Sequence, residues 1–593
     1  MINPVERIKE NSNQLRGTIL TTLLDPQKDH FTEEDYQILK FHGTYQQDNR
    51  DLRAARKQAG LDKEWIFMVR VKTPGGRMTA QQYLTLDKIS DELANGTLRI
   101  TSRQGIQFHG VLKKSLREVM QRVHSSGMTT WGACGDVVRN IMASPEPICD
   151  RAHEDIHRLA QLLTETFHAK STSYVQIWLT TSDGEKIELT TPYDSESVDE
   201  PIYGKCYLPR KFKIGIVLPP LNDVDIYSQD LGFVGHVGSD GAIEGYTVLV
   251  GGGFGMTHGQ HQTYPVLAKP LGYVPAAHAK DIAVAVVTVQ RDFGNRVDRK
   301  QARLKYLIKK QGLEWFRQQV LSRISNPDCL SAPREFHFES VSDRLGWNEQ
   351  GNGLWWVCVP VEVGRIRDYD PPKPAYRSAF RQIAAELGVP IRLTPNCNII
   401  FHDIPEERKN TLLDILRDYR VPDGKNFTQA RKVCHACVAL PTCGLALAES
   451  ERVFPDLMDK LDDILYEMGL ENEPLLIRMS GCPNGCSRPY NSDFAFVGRA
   501  PGKYALYIGG SHRGDRLAGL AIKNINLTDI PNAVRNFLEE FKNNRHPGET
   551  FTDWWARSHG NGEAPTSEHF HVELAERESR LRNGKTLSLD SDE

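Results

Sequence analysis

LRITSRQGIQFHGV, residues 98 to 111, returns in altered form as IRLTPNCNIIFHDI, residues 391 to 404. Arg99 lines up with Arg392, Thr101 with Thr394, Ile106 with Ile399, and Phe108 and His109 with Phe401 and His402. Each copy follows an apolar strand-like run, WIFMVRV from Trp65 and LWWVCVPV from Leu354. Each also follows a helix-like stretch, LTLDKISDELANG or YRSAFRQIAAELG, that closes on Gly, a common helix C-terminal residue. Strand, helix, strand at this spacing reads as a βαβ unit, and its return predicts two related half-units.

Working outward, each copy is followed by a longer α/β segment. The first carries YLPRKFKIGIVLPP and LVGGGFGMTHG; the second carries two cysteine clusters and then ALYIGGSHRG. The expected organisation is an N-terminal arm (1–60), a first half-unit (61–150), a first large α/β domain (151–330), a second half-unit (331–425) and a second large domain (426–560). A polar tail, 561–593, has the composition of a disordered segment. The chain of 593 residues has ample length for several cores. A net charge of −3 gives no bias toward nucleic acid or membranes. The longest apolar runs, such as Ile282 to Val289, are strand-sized and too short to span a bilayer. The N-terminus lacks a signal peptide's apolar stretch, so the expectation is a cytoplasmic protein with reduced thiols.

Five of the eleven cysteines cluster: Cys434, Cys437 and Cys443 in VCHACVALPTCG, and Cys482 and Cys486 in GCPNGCSRP. Pro483 and Gly485 oppose a regular helix between the last pair, so a tight loop aiming both sulfurs is expected. C-x5-C followed by C-x3-C suits an iron–sulfur cluster. Zinc on Cys434, Cys437, Cys482 and Cys486 is the alternative that spacing leaves open. The other six cysteines read mostly as core residues.

The first half collects cations instead. Lys211 and Lys213 alternate in RKFKIGIV and so point to one side. Arg99 and Arg103 flank the run that leads to His109, and QRDFGNRVDRKQARLKY adds Arg296, Arg299, Lys300, Arg303 and Lys305. Inward cations need an anion. The glycines of LVGGGFG allow close backbone approach but do not form a dinucleotide fingerprint, so electrons must come from a partner.

ACVALPTCGLALAESER, GCPNGCSRP, YLPRKFK, GTLRITSRQGIQFHG and KFHGTYQQDNRD together resemble the sirohaem-dependent nitrite and sulfite reductases, specifically the sulfite-reducing haemoprotein subunits. The resemblance, spanning about residues 5 to 555, implies an internally duplicated α+β and α/β fold. Two ferredoxin-like half-units and two larger α/β segments would be related by a pseudo-twofold axis. It implies sirohaem and a 4Fe–4S cluster as cofactors, with Cys437, Cys443, Cys482 and Cys486 as cluster ligands and Cys486 shared with the sirohaem iron. Arg70, Arg139, Lys211 and Lys213 match the family's substrate-anion cage. Arg99, Thr101, Arg103, Gln107 and His109 match positions that hold sirohaem, with Gly251, Gly252, Gly253 and Asn484 counted beside them. Cys397 stands where the family usually has a Gln that contacts sirohaem, and a thiol cannot supply an amide's donor and acceptor.

The implied activity is reduction of sulfite to sulfide. Nitrite reduction is the nearest rival, but CVALPTC and Lys213 depart from the nitrite pattern. A non-catalytic zinc scaffold explains the thiols and not the cations. The donor is a ferredoxin or an NADPH-dependent flavoprotein, and GACGDVVRN leans to ferredoxin.

Overall fold

The computed structural model describes residues 2–180, 200–559 and 570–571, so the expected tail lies almost wholly outside the described residues. The chain forms two compact units. The first comprises Met1–Gly253, Ala268–Phe427 and Pro441–Gly444; the second comprises Phe254–Leu267, Thr428–Leu440 and Leu445–Glu593.

Strands arise in four groups of five. The first is β1 (Thr44–Asp48), β2 (Trp65–Val71), β3 (Arg77–Met78), β4 (Leu98–Ile100) and β5 (Ile106–Val111). The second is β6 (Met142–Ala143), β7 (Ile214–Val217), β8 (Leu231–Val237), β9 (Ile243–Val250) and β10 (Lys269–Pro275). The third is β11 (Gly346–Glu349), β12 (Trp355–Val359), β13 (Arg365–Ile366), β14 (Ile391–Leu393) and β15 (Ile399–Ile404). The fourth, in the second unit, is β16 (His435–Ala436), β17 (Ile477–Ser480), β18 (Phe494–Ala500), β19 (Lys503–Ile508) and β20 (Gly519–Asn526).

The sheet orders repeat: β1-β2-β5-β4-β13 against β11-β12-β15-β14-β3, and β6-β7-β8-β9-β10 against β16-β17-β18-β19-β20. The duplication therefore extends through both pairs of segments. In the last two sheets the first three strands run parallel and the rest antiparallel.

Two features refine the sequence reading. β2 and β4 run in the same direction, as a βαβ unit requires, but β5 lies between them and pairs antiparallel with both. The tight turn from β4 into β5 permits this insertion and makes the unit a split, ferredoxin-like one. The half-units also exchange an edge strand. β13 pairs with β4 through Arg365↔Arg99, and β3 pairs with β14 through Arg392↔Arg77.

The helices between strands explain why the halves adhere. Helix α1 (Ala80–Leu93) starts at a Thr79/Gln82 capping box and buries Tyr83, Leu86 and Ile89. Helix α2 (Tyr376–Leu387) buries Tyr376, Ala379, Phe380 and Ile383, again one face. Arg377 of α2 reaches Asp87 of α1 at 2.7 Å, and Arg381 reaches the same carboxylate at 2.6 Å. A broad apolar core, from Leu15 to Val421, lies in the first unit, with smaller clusters around Val217 and Trp356. No described helix is long and apolar enough to cross a membrane.

Candidate functional site

The first sheet builds a row of cations. Arg70 in β2 lies opposite Gln107 in β5. The Gln107 amide oxygen accepts from Arg70 Nη2 at 2.6 Å and Nε at 3.2 Å, and Arg70 Nη1 meets Cys134 Sγ at 3.0 Å. Arg139, at the end of the same loop as Cys134, donates Nε to Gly135 O at 2.9 Å and Nη1 to Ala133 O at 3.3 Å. Its backbone N–H donates to Phe212 O, and Val138 and Phe212 form a parallel bridge. Phe212 points inward, leaving Lys211 and Lys213 half-buried on the other side. Arg70, Arg139, Lys211 and Lys213 are thus tied to one loop, Ala133–Arg139, and its neighbouring strand.

Three of these cations, Arg70, Arg139 and Lys213, direct their charged groups at no carboxylate within hydrogen-bond reach among the described residues, and the Lys213 ammonium makes no hydrogen bond there. Burial, with Lys211, Arg103 and Arg303 nearby, holds Lys213 well below the ordinary lysine value, against the pull of Asp230. Such an arrangement is costly unless an anion completes it.

Arg99, in β4, faces Gln107 on one side and Arg365 of the exchanged β13 on the other. Arg365 Nη1 lies 3.2 Å from His109 Nδ1. Arg365 was missed in the sequence, although the recurrence of Gly76-Arg77-Met78 as Gly364-Arg365-Ile366 is the signal that marks it. Thr101 Oγ1 accepts from the backbone of Arg103 and Gly105. Arg103 clasps protein acceptors: Gln229 Oε1 at 2.8 Å, Asn140 O at 2.7 Å and Ile214 O at 3.0 Å.

The basic run after Asn295 resolves mostly into internal pairs. Arg299 holds Asp136 through two bonds at 2.7 and 2.9 Å, and Arg303 holds Asp230 at 2.9 and 3.0 Å. Lys305, buried and pushed well below its ordinary value by that burial, donates to Gly253 O at 2.9 Å. The close approach that Gly252 permits is to its own chain: a Cβ there would lie 2.2 Å from Tyr227 O. Gly251 N–H donates to Asp230 O and Gly252 N–H to Gln229 O, so these glycines are pinned beside the bend at Gln229 and Asp230 that leads into β8.

In the second unit β16 and β17 lie side by side and parallel, and each runs into a cysteine. Cys437 N–H donates to Met479 O, and Gly481 N–H donates to Cys437 Sγ at 3.2 Å. Cys482 follows β17 and is buried, with Asn484 Nδ2 at 3.5 Å from its sulfur. N–H groups aimed at sulfur favour the thiolate that metal binding needs. The loop beyond is sharp, with Gly485 at φ +60° and Arg488 at φ +57°. Pro483 O accepts from Tyr490 Oη and from Met256 N–H, both at 3.0 Å. Cys486 is exposed. Cys443 belongs to the first unit, where Arg50 Nη1 donates to its carbonyl at 3.0 Å. Cys434 Sγ lies 3.3 Å from the backbone carbonyl of Arg431. Among the described residues no three His, Cys, Asp or Glu side chains gather round a single ion; the thiolates of an iron–sulfur cluster bind different irons around a cube. The donor set, thiolates with N–H support and cations without carboxylates, fits a cluster and a polyanionic cofactor.

Comparison with known proteins agrees. Residues 60–126 and 348–419 match the nitrite/sulfite reductase ferredoxin-like half domain, and 134–327 match the nitrite and sulphite reductase 4Fe-4S domain. The sulfite reductase (NADPH) hemoprotein beta-component of Geobacillus kaustophilus (strain HTA426) is 44% identical over 96% of this chain and 97% of its own. That of Staphylococcus carnosus (strain TM300) is 43% identical over 94% and 95%. The solved Mycobacterium tuberculosis NirA protein superposes with a TM-score of 0.75 over 94% of this chain and 96% of that one, at 23% identity, and so shares the fold. With two domain patterns matched and relatives this similar along nearly the whole length, the chain belongs to the nitrite and sulphite reductase family.

Proposed function

We propose that this protein reduces sulfite to sulfide as the haemoprotein component of a sulfite reductase, with sirohaem and a 4Fe–4S cluster as its cofactors. The observation that carries the reading is the set of Arg70, Arg139 and Lys213, cations drawn to one loop whose charged groups meet no carboxylate within hydrogen-bond reach among the described residues. Cys437, Cys443, Cys482 and Cys486 would hold the cluster, with Cys486 shared between the two groups. Arg99, Thr101, Gln107, His109 and Arg365, with Gly251, Gly252, Gly253 and Asn484, would surround sirohaem. When bound, the two groups would supply an iron site for the anion and relay to it the electrons that the donor provides.

The chain's own residues then have distinct tasks. Arg70, its fork braced by Cys134 and Gln107, and Arg139, braced by Ala133 and Gly135, bind and orient the anion's oxygens. Each oxygen that leaves gains negative charge, which fixed cations stabilise without reorganising. Lys213 supplies protons: its depressed pKa makes its ammonium a readier donor than either guanidinium. Lys211 adds positive charge beside it. The relatives are named for NADPH, which favours an NADPH-dependent flavoprotein as donor; the ferredoxin preference read from GACGDVVRN gains no support from them.

The test is the visible spectrum of cofactor-loaded protein with and without sulfite, followed by sulfide production with each reduced donor. Sirohaem bands that shift with sulfite, and sulfide formed with the flavoprotein, are expected. A spectrum indifferent to sulfite, with no sulfide from any reductant, would overturn the reading; faster turnover of nitrite would move it to the nitrite branch. Over pH, the rate should fall on an alkaline limb below the free-lysine value of 10.5, and Lys213→Arg should move that limb upward.

A further inference from the structure

Pro441–Gly444 parts company with its neighbours in sequence. Thr428–Leu440 and the chain from Leu445 belong to the second unit, while Pro441–Gly444 packs within the first. The anchor is the N-terminal arm. β1 ends at Asp48, the Asn49 side chain accepts from Asp51 N–H at 3.2 Å, and the short turn Arg50–Leu52 follows. From that turn Arg50 grips the cysteine stretch twice: its backbone N–H donates to Pro441 O at 3.1 Å, and Nη1 donates to Cys443 O at 3.0 Å. Pro441 has no N–H, so its carbonyl is the one backbone hydrogen-bonding group it can offer. The backbone at Cys443 is thus held by the arm.

We propose that Arg50 is a positioning residue for Cys443. This rests on the reading that Cys443 is a cluster ligand. Holding the carbonyls on both sides of Thr442 sets the backbone of Cys443 and hence the direction of its Sγ. The guanidinium also places a permanent positive charge next to that residue, and a nearby cation favours the reduced, more negative cluster. Because β1 pairs with β2 through Thr44↔Val69, the same arm braces the strand that carries Arg70. One short segment therefore supports a cluster ligand and an anion ligand together.

The control lies in the same turn. Arg53 pairs with Asp48 within the arm, Nη2 to Oδ1 at 2.7 Å, and among the described residues makes no hydrogen bond to Pro441–Gly444. Holoenzyme carrying Arg50→Ala, Arg50→Lys, Arg53→Ala or Cys443→Ser would be compared by cluster paramagnetic resonance, midpoint potential and the rate of bleaching in air. Arg50→Ala should give a more negative potential and several-fold faster bleaching. Arg50→Lys, which keeps the charge and one donor, should recover most of the potential, and Arg53→Ala should match the wild type. If Cys443→Ser alters the cluster signal while Arg50→Ala keeps wild-type potential and bleaching, Arg50 has no positioning role. Equal shifts in Arg53→Ala and Arg50→Ala would likewise overturn it, by assigning the effect to the arm as a whole. An unchanged cluster signal in Cys443→Ser would instead sink the ligand reading itself. Should Arg50→Ala fail to load cofactor, the potential of Arg50→Lys against Arg50→Gln separates charge from hydrogen bond.

Discussion

The turns Thr101–Gly105 and Thr394–Asn398 have one backbone and opposite chemistry. In each, the threonine N–H donates to the carbonyl four residues on, at 2.8 and 3.0 Å, and its carbonyl accepts from the residue three on, at 2.9 and 3.0 Å. In each, that third residue is left-handed: Gln104 at φ +56° and Cys397 at φ +70°. The side chains diverge. Arg103 reaches outward to Gln229 and to two carbonyls. Its counterpart Asn396 turns to Asp343, which also accepts from Thr394 Oγ1 at 2.5 Å and Asn398 Nδ2 at 2.8 Å. The second copy has taken a carboxylate from its own chain, where the first places an arginine on an amide and two carbonyls. Duplication preserved the scaffold, and a handful of substitutions changed what each turn holds.

Making the first turn resemble the second should have the largest effect. Arg103→Asn strands Gln229 and the carbonyls of Asn140 and Ile214, at a cost of about 3 kcal/mol. Sirohaem content, read from absorption, should fall with it; a fully loaded variant would show that Arg103 does not shape the cofactor face. Next comes Asp343→Ala, which leaves three donors without their acceptor and costs about 2 kcal/mol in denaturant unfolding. Burial pushes Asp343 up to about 6, so the folded state favours its neutral form. That contribution is fully present below the ordinary carboxylate value and is lost as pH rises through about 6. The stability gap between wild type and variant should therefore narrow, by on the order of 2 kcal/mol, between about pH 4 and about pH 7. A gap that widens with pH would mean an ionised, well-paired Asp343. Sulfite turnover should be unaffected.

The smallest effect tests the third position. The Gln104 amide donates to Ala143 O at 2.9 Å and Leu393 O at 3.0 Å and accepts from Ala143 N–H at 3.1 Å. Cys397 is a small buried thiol. Gln104→Ala should cost about 1.5 kcal/mol and Cys397→Ala about 1 kcal/mol or less, both read from denaturant midpoints. Equal costs would mean that the amide's bonds are no better than those it makes with water when unfolded.

Much of the duplication was legible because Arg, Thr, Phe and His recur at fixed offsets, and periodic strands carry a strong pattern. The edge-strand exchange was not, since two-residue strands such as β3 and β13 hold too little pattern to reveal a partner hundreds of residues away. The alternation of Lys211 and Lys213 was readable, while the bracing of Arg70 by Cys134 needed the loop that closes over β2. Most of the basic run proved to be structural, and nothing local separates Arg303 on Asp230 from a cation awaiting an anion.

By itself the sequence determined the class of chemistry: thiols at ligand spacing, cations in alternation and a repeated turn are properties of residue type and offset. Only the tertiary structure decided which cations are satisfied. Arg299 and Arg303 found carboxylates, and Arg70 and Arg139 found a thiol, an amide and carbonyls. The reason is physical: a charge becomes a binding group when folding buries it without a partner, and partners come from anywhere along the chain.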